Sequence, residues 1–176
     1  MKYFSKVLVV LFWVSNNQSV IAQTFPKDFI GCWQGYLTIY NYESKPSTRI
    51  EMGLRVEATD TPGKFLWAII YQDSTKDYRP YFLHTIDSAK GHYQTDELNG
   101  IKLDDYFIGN KLISRFTVQN TELLCLYYIE EGNLFFEVFS NGNLKKVRSG
   151  LGTDDIPFVY SFGPIYYQRA VLSNCR

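Results

Sequence analysis

Phe29 to Tyr40 reads FIGCWQGYLTIY, a strand-length run with glycine, cysteine and tryptophan near its head. Side chains of a strand alternate between two faces. Trp33 therefore stands on one face, and Cys32, Gln34, Tyr36, Thr38 and Tyr40 form the other, an outward set. The same two-residue period continues downstream. Ile50, Met52, Leu54, Val56 and Ala58 alternate with Arg49, Glu51, Gly53, Arg55 and Glu57. Leu112, Ser114, Phe116 and Val118 alternate with Lys111, Ile113, Arg115 and Thr117. Each run reads as a strand with one face in a core and the other in water.

Turn signals punctuate these runs: Asp60-Thr61-Pro62-Gly63, Lys90-Gly91, Asn99-Gly100, Gly109-Asn110, Glu131-Gly132-Asn133 and Asn141-Gly142-Asn143. Asn-Gly supplies the positive φ that suits a tight hairpin. Strands are predicted near 29–41, 48–58, 64–72, 79–88, 92–97, 101–108, 111–119, 122–130, 133–140 and 144–148. A last one is predicted near 158–171, after the Gly-rich segment Ser149 to Asp155. Short turns between successive strands imply an antiparallel meander, and closing it hides its edges. The expected fold is all-β, an up-and-down antiparallel barrel of roughly 8–10 strands. A short helix at Phe25 to Phe29 fits a lid or plug.

The N-terminus reads as a leader. Lys2 and Lys6 precede the apolar run Val7 to Val14, and Val20-Ile21-Ala22 places small residues before a cut at Gln23. That is the layout of a secretory signal peptide; the alternative is an uncleaved anchor. The expected organisation is a signal peptide over 1–22 and one barrel domain over 23–176, secreted or periplasmic, with no membrane span in the mature chain. Net charge is zero, which gives no electrostatic case for nucleic acid. Aromatics make up 17% of the chain, a composition suited to strands and amphipathic pockets. Three cysteines are present. Cys32 and Cys175 come within bridging reach if the first and last strands are neighbours. The other reading leaves all three thiols free, with Cys125 a small buried hydrophobe.

Gly31-x-Trp33 at the start of the first strand, followed by a meander, resembles the calycin group: lipocalins, fatty-acid-binding proteins and their bacterial relatives. The resemblance implies that Trp33 closes one end of the barrel, that Gly31 lets the chain approach, and that a late Arg, here Arg169, packs across the Trp ring. The second lipocalin signature is missing: Thr75-Lys76-Asp77-Tyr78 is similar only in composition and comes too early. Haem-binding relatives use a His near the C-terminus, and none stands there.

No nucleophile elbow, phosphate loop, zinc spacing or metalloprotease His pair is present, so no catalytic residue, metal or cofactor is expected. Asp96-Glu97 and Asp104-Asp105 flank the turn at Asn99-Gly100, and neighbours on a strand face opposite sides. Several strands are apolar on both faces, notably 64–72, 122–130 and 133–140, so alternation alone does not fix their inner face. The candidate ligand-facing set is Trp67, Tyr71, His84, Phe116, Tyr128, Phe135 and Glu137; Arg115 reads as exterior if Phe116 points inward. Three functions follow. The first is an exported lipocalin-like barrel, monomer or weak homodimer, that binds a small hydrophobic or amphipathic ligand. The second is a filled barrel that serves as an interaction module. The third is a small isomerase or hydrolase centred on His84.

Overall fold

A computed structural model describes residues 24–41, 44–72, 75, 77–141, 146–163 and 166–175, with the backbone alone at 44–46. The expected leader and its cut near Ala22 lie outside these residues.

Among the described residues twelve strands follow one another: β1 (Gly31–Asn41), β2 (Ser44–Ala58), β3 (Lys64–Tyr71), β4 (Asp77–Asp87), β5 (His92–Asp96), β6 (Lys102–Ile108), β7 (Lys111–Val118), β8 (Thr121–Glu130), β9 (Asn133–Asn141), β10 (Lys146–Ser149), β11 (Val159–Phe162) and β12 (Tyr166–Asn174). Ten of them close into one antiparallel barrel, in the ring order β1-β12-β9-β8-β7-β6-β5-β4-β3-β2. Every neighbour along the meander is a sequence neighbour. The exception is the seam, where β12 enters between β1 and β9.

The late chain differs from the expected strand list. The segments predicted near 144–148 and 158–171 do not both join the barrel. β10 and β11 pair only with each other as a separate ribbon, exposed at every position. The barrel's closing strand is β12. Apolar side chains in the ribbon, such as Val147, Val159 and Phe162, resemble core strands in sequence but meet no second layer. Lys146 and Arg148 instead sit over the rings of Tyr160 and Phe158.

Register fixes which residues point inward. Trp33 lies opposite Leu54 and Asn174, and Leu37 opposite Ile50 and Ala170. The Ile50-Met52-Leu54-Val56 face is interior, as the alternation predicts. At one end the barrel is filled. Phe25, just before a short 3-10 turn (Lys27–Phe29), and Phe29, its last residue, are buried. Phe25 stacks on Phe107 and meets Tyr93 edge-on, with ring centroids 4.7 Å away in both cases. Phe29 lies 6.0 Å from the Trp67 ring. This aromatic plug, with Leu54, Val56, Leu83, Leu134 and Leu172, forms the core.

Two glycines shape the first strand. Gly31 holds a φ of +144°, a backbone region that side chains avoid. The close approach itself is at Gly35, where a Cβ would meet the Val171 carbonyl oxygen at 2.1 Å. On the outer side of the same seam, Cys32 and Cys175 form a disulfide, and the Cys175 N–H donates to the Cys32 carbonyl oxygen at 2.8 Å. The first and last strands are thus tied together both covalently and by hydrogen bonds.

Candidate functional site

Beyond the plug the barrel is open inside. A cavity of about 540 Å³ runs from the aromatic core to the opposite end. Its apolar wall includes Leu37, Ile39, Ile50, Phe136 and Val138. Its aromatic floor includes Trp67 and Tyr127, whose rings meet edge-on at 5.2 Å. Polar groups at the mouth are Gln72, Asp77, Arg79, Tyr81, Glu97 and Gln168.

The mouth forms because β4 and β5 part there. β4 pairs with β3 along Asp77–His84, but with β5 only from Phe82 to Asp87. Pro80 sits in the stretch free of β5, so its missing N–H costs no ladder bond on that side. Asp77, Arg79 and Tyr81 share the inner face of this stretch. Arg79 clamps Asp77 with two bonds, Nε and Nη2 each 2.8 Å from a carboxylate oxygen. This pairing holds the Asp77 carboxyl below the usual range. The guanidinium also lies 4.9 Å from the Tyr71 ring centroid. Burial pushes the Tyr71 phenol up to about 12. Tyr81 is raised as well, by burial first and then by the nearby Glu97 carboxylate.

Deeper, three strands build a buried polar cluster. Asp105 on β6 is fully buried, opposite Tyr93 on β5 and Ser114 on β7. Thr95 donates its hydroxyl to Asp105 Oδ2 at 2.6 Å, and the Ser114 hydroxyl donates to Oδ1. Loss of solvent raises the Asp105 carboxyl to about 7, with the Thr95 bond pulling the other way. Cys125, opposite Ser114, is the free cysteine among the described residues. Its thiol is pushed up to about 12 by burial and then by Asp105, so it stays protonated at neutral pH.

The structure divides the sequence-predicted set. Trp67, Tyr71 and Phe116 line the cavity. His84, Tyr128, Phe135 and Glu137 do not: each lies on the outer face, one residue out of phase with the lining. His84 pairs in register with outward Lys64 and Gln94. A catalytic centre built inside the barrel on His84 is therefore ruled out by its facing. Tyr128 and Phe135 stack on each other at 4.9 Å, and Glu137 accepts a 2.6 Å bond from the Tyr167 hydroxyl. Those strands are apolar on both faces because an aromatic layer covers the outside of β8, β9 and β12.

The expected Arg169 cap on Trp33 is also corrected. Arg169 lies in register with Thr38 and Glu137, on the outer face. It sits 5.2 Å from the Phe135 ring centroid and 3.6 Å from Glu137. Trp33, on the inner face, is instead held by its own chain: the indole N–H donates to the Phe29 carbonyl oxygen at 2.9 Å. Arg115 is exterior and bonds Glu122 at 2.6 Å. A completely filled barrel is likewise not what is found, because side chains pack the plug end alone.

Tyr81, an aromatic on a strand whose facing the sequence left open, lines the cavity; sequence reasoning missed Asp77, Arg79 and Asp105 as inner residues. The signal was present: Leu103-Asp105-Phe107 and Arg79-Tyr81-Leu83 each place a polar residue on an otherwise apolar period-two face. Among the described residues, no group of three or more His, Cys, Asp or Glu side chains is arranged to hold a metal. No helix among them is long and apolar enough to cross a membrane.

The arrangement defines a closed ten-stranded antiparallel barrel with a one-ended interior cavity. No family model matches the sequence, and no curated protein matches it. Among solved structures, it is similar to a protein of unknown function from the DUF3598 family of Nostoc punctiforme, with a TM-score of 0.61 and 7% identity. The likeness covers 85% of this chain and 48% of that one, so this chain spans about half the length of its structural neighbour. At that identity the likeness concerns the fold alone.

Proposed function

We propose that this protein is an exported, lipocalin-like carrier that holds a small hydrophobic or amphipathic ligand inside the barrel. The cavity carries the reading. Its volume of about 540 Å³ falls within the range of small-molecule sites, roughly 300–1,000 Å³. It joins apolar and aromatic walls to a few convergent polar groups, the usual composition of such sites. Gly31-x-Trp33 at the head of the first strand, with Trp33 buried at the closed end, supports kinship with the calycin barrels. The Cys32–Cys175 disulfide supports an oxidising compartment, secreted or periplasmic, reached through the N-terminal leader. The protein acts as a monomer or weak homodimer.

The test is a thermal-shift and native mass spectrometry panel of apolar and amphipathic compounds. A ligand at a hundred times its Kd adds about 2.7 kcal/mol of stability. Ile39→Trp, which places an indole in the cavity, is expected to abolish the shift while preserving the fold. Retention of no compound, together with no shift across the panel, would sink the reading.

A further inference from the structure

The cavity is not uniform around its ring. In the strand order, β4 to β7 form one half of the barrel and β9, β12, β1 and β2 the other. The second half contributes Leu37, Ile39, Ile50, Phe136 and Val138, with Gln168 as its polar member. The first half contributes Asp77, Arg79, Tyr81, Thr95, Glu97 and Ser114 among the apolar side chains Leu103, Leu112 and Phe116. A molecule lying in this space meets almost only hydrocarbon on one side, and on the other a mixed wall that holds most of the cavity's oxygen atoms.

The charges on the polar half do not balance. Arg79 is the one cation among the described lining residues, and its charge is paired with Asp77 through Nε and Nη2. Glu97 lines the mouth, and Asp105 stands directly behind Thr95 and Ser114 with no cation of its own. The hydroxyls add a directional constraint. Each hydroxyl has one proton, and Thr95 and Ser114 both spend theirs on Asp105. What remains toward the cavity is lone pairs, which accept and cannot donate. A carboxylate ligand would find no donor there and two acids nearby. At Arg79 it would compete with Asp77, which already neutralises that charge.

Resting on the carrier reading above, we infer that the ligand is an amphipathic amine: a protonated nitrogen seated against the Thr95 and Ser114 oxygens, with Asp105 and Glu97 as countercharge and its apolar body along the β1–β2–β9 wall. Such a nitrogen supplies the donors that the Thr95 and Ser114 oxygens lack and the countercharge that Asp105 lacks. The aromatic faces of Trp67, Tyr71 and Tyr81 add attraction for a cation in a desolvated space. The elevated carboxyl of Asp105 agrees with an acid waiting for a partner, since a bound cation would draw it back to the ionised form.

The test compares three probes with one hydrocarbon chain: decylamine, decan-1-ol and decanoate, titrated calorimetrically into the purified protein at pH 8. An alkylamine keeps its proton there, as lysine does with a pKa near about 10.4. Decylamine is expected to bind at least about tenfold tighter than decanoate, with decan-1-ol between them. Asp105→Asn is expected to weaken decylamine about tenfold and leave decan-1-ol within about twofold. A pH series on the unaltered protein covers the case in which that variant does not fold. Decylamine affinity should fall roughly ten- to thirty-fold from pH 8 to pH 5.5 as Asp105 takes up a proton, while decan-1-ol stays constant. The groups around Asp105 are His92 and Tyr93 on β5, Asp104 on its own strand, and Cys125 and Tyr127 on β8. His92→Gln, which removes the imidazole bound to Asp104 on the outer face, should leave that profile in place. Decanoate binding as tightly as decylamine, or decylamine affinity indifferent to pH, overturns the amine assignment and leaves the carrier reading standing. Failure of all three probes to bind overturns both.

Discussion

Trp33 donates its indole N–H to the carbonyl oxygen of Phe29, four residues earlier, inside the closed end of the barrel. The bond joins the plug to the first strand and satisfies both partners out of water. Trp33→Phe keeps the apolar bulk, removes the donor and leaves the Phe29 carbonyl unsatisfied. A lost buried bond of this kind costs about 1–3 kcal/mol, and the smaller ring adds a cavity term. The expected destabilisation is about 2–4 kcal/mol by urea unfolding. Arg169→Ala should cost about 1 kcal/mol or less, because its partners sit on the solvent side. The resemblance to lipocalins alone would rank both losses as injuries to the same contact.

The disulfide closes the barrel where its first and last strands meet. Cys32 and Cys175 are 143 residues apart, so the bond restricts nearly the whole described chain when unfolded. Removal of a native disulfide typically costs about 2–5 kcal/mol. Cys32→Ser with Cys175→Ser is expected to fall in that range, and reductant should destabilise the unaltered protein by the same amount. A double variant as stable as the parent would show that the β1–β12 ladder closes the barrel unaided.

The meander was legible from period-two alternation and turn residues because both are local. Strand facing was legible wherever one side was charged, as in β2 and β7. It was not legible in β8 and β9. There, Tyr128, Phe135 and Phe139 form an outer aromatic layer that mimics a core in sequence. Facing in these strands is set by register with β7 and β12, a long-range pairing that no local pattern encodes. Arg79 was hidden for a different reason. It stands at the very start of the predicted strand 79–88, and its place at the cavity mouth follows from the parting of β4 from β5, a long-range feature.

The out-of-phase residues give a direct check on the facing. His84→Ala, Tyr128→Ala and Phe135→Ala should each leave cavity-ligand affinity within about twofold. The stacked Tyr128–Phe135 pair should contribute about 0.5–1.5 kcal/mol to stability beyond its area. Trp67→Ala, in the cavity floor, should instead change binding and cost about 3–5 kcal/mol. A loss of binding in His84→Ala comparable to that in Trp67→Ala would contradict the assigned register.

Asp105 makes stability depend on pH in a sense opposite to most native carboxylates. Burial raises its carboxyl from an ordinary 3.8 to about 7. Between those values the folded protein holds a proton that the unfolded chain has released. Stability therefore falls as pH rises through that window, and is flat below it and above about 7. Three pKa units correspond to about 4 kcal/mol, a ceiling for the total change. Asp105→Asn removes the ionisable group and should flatten the slope, leaving the variant at least as stable as the parent at pH 8. Urea midpoints at pH 4.5, 6 and 8 measure this. If the site serves a ligand cation, saturating decylamine at pH 8 should offset part of the parent's deficit and give the Asn variant much less. The barrel would then keep a destabilising acid in its wall because binding needs it. A parent whose stability rises steadily from pH 4.5 to 8 would show that Asp105 is already ionised and at ease in its bonds to Thr95 and Ser114.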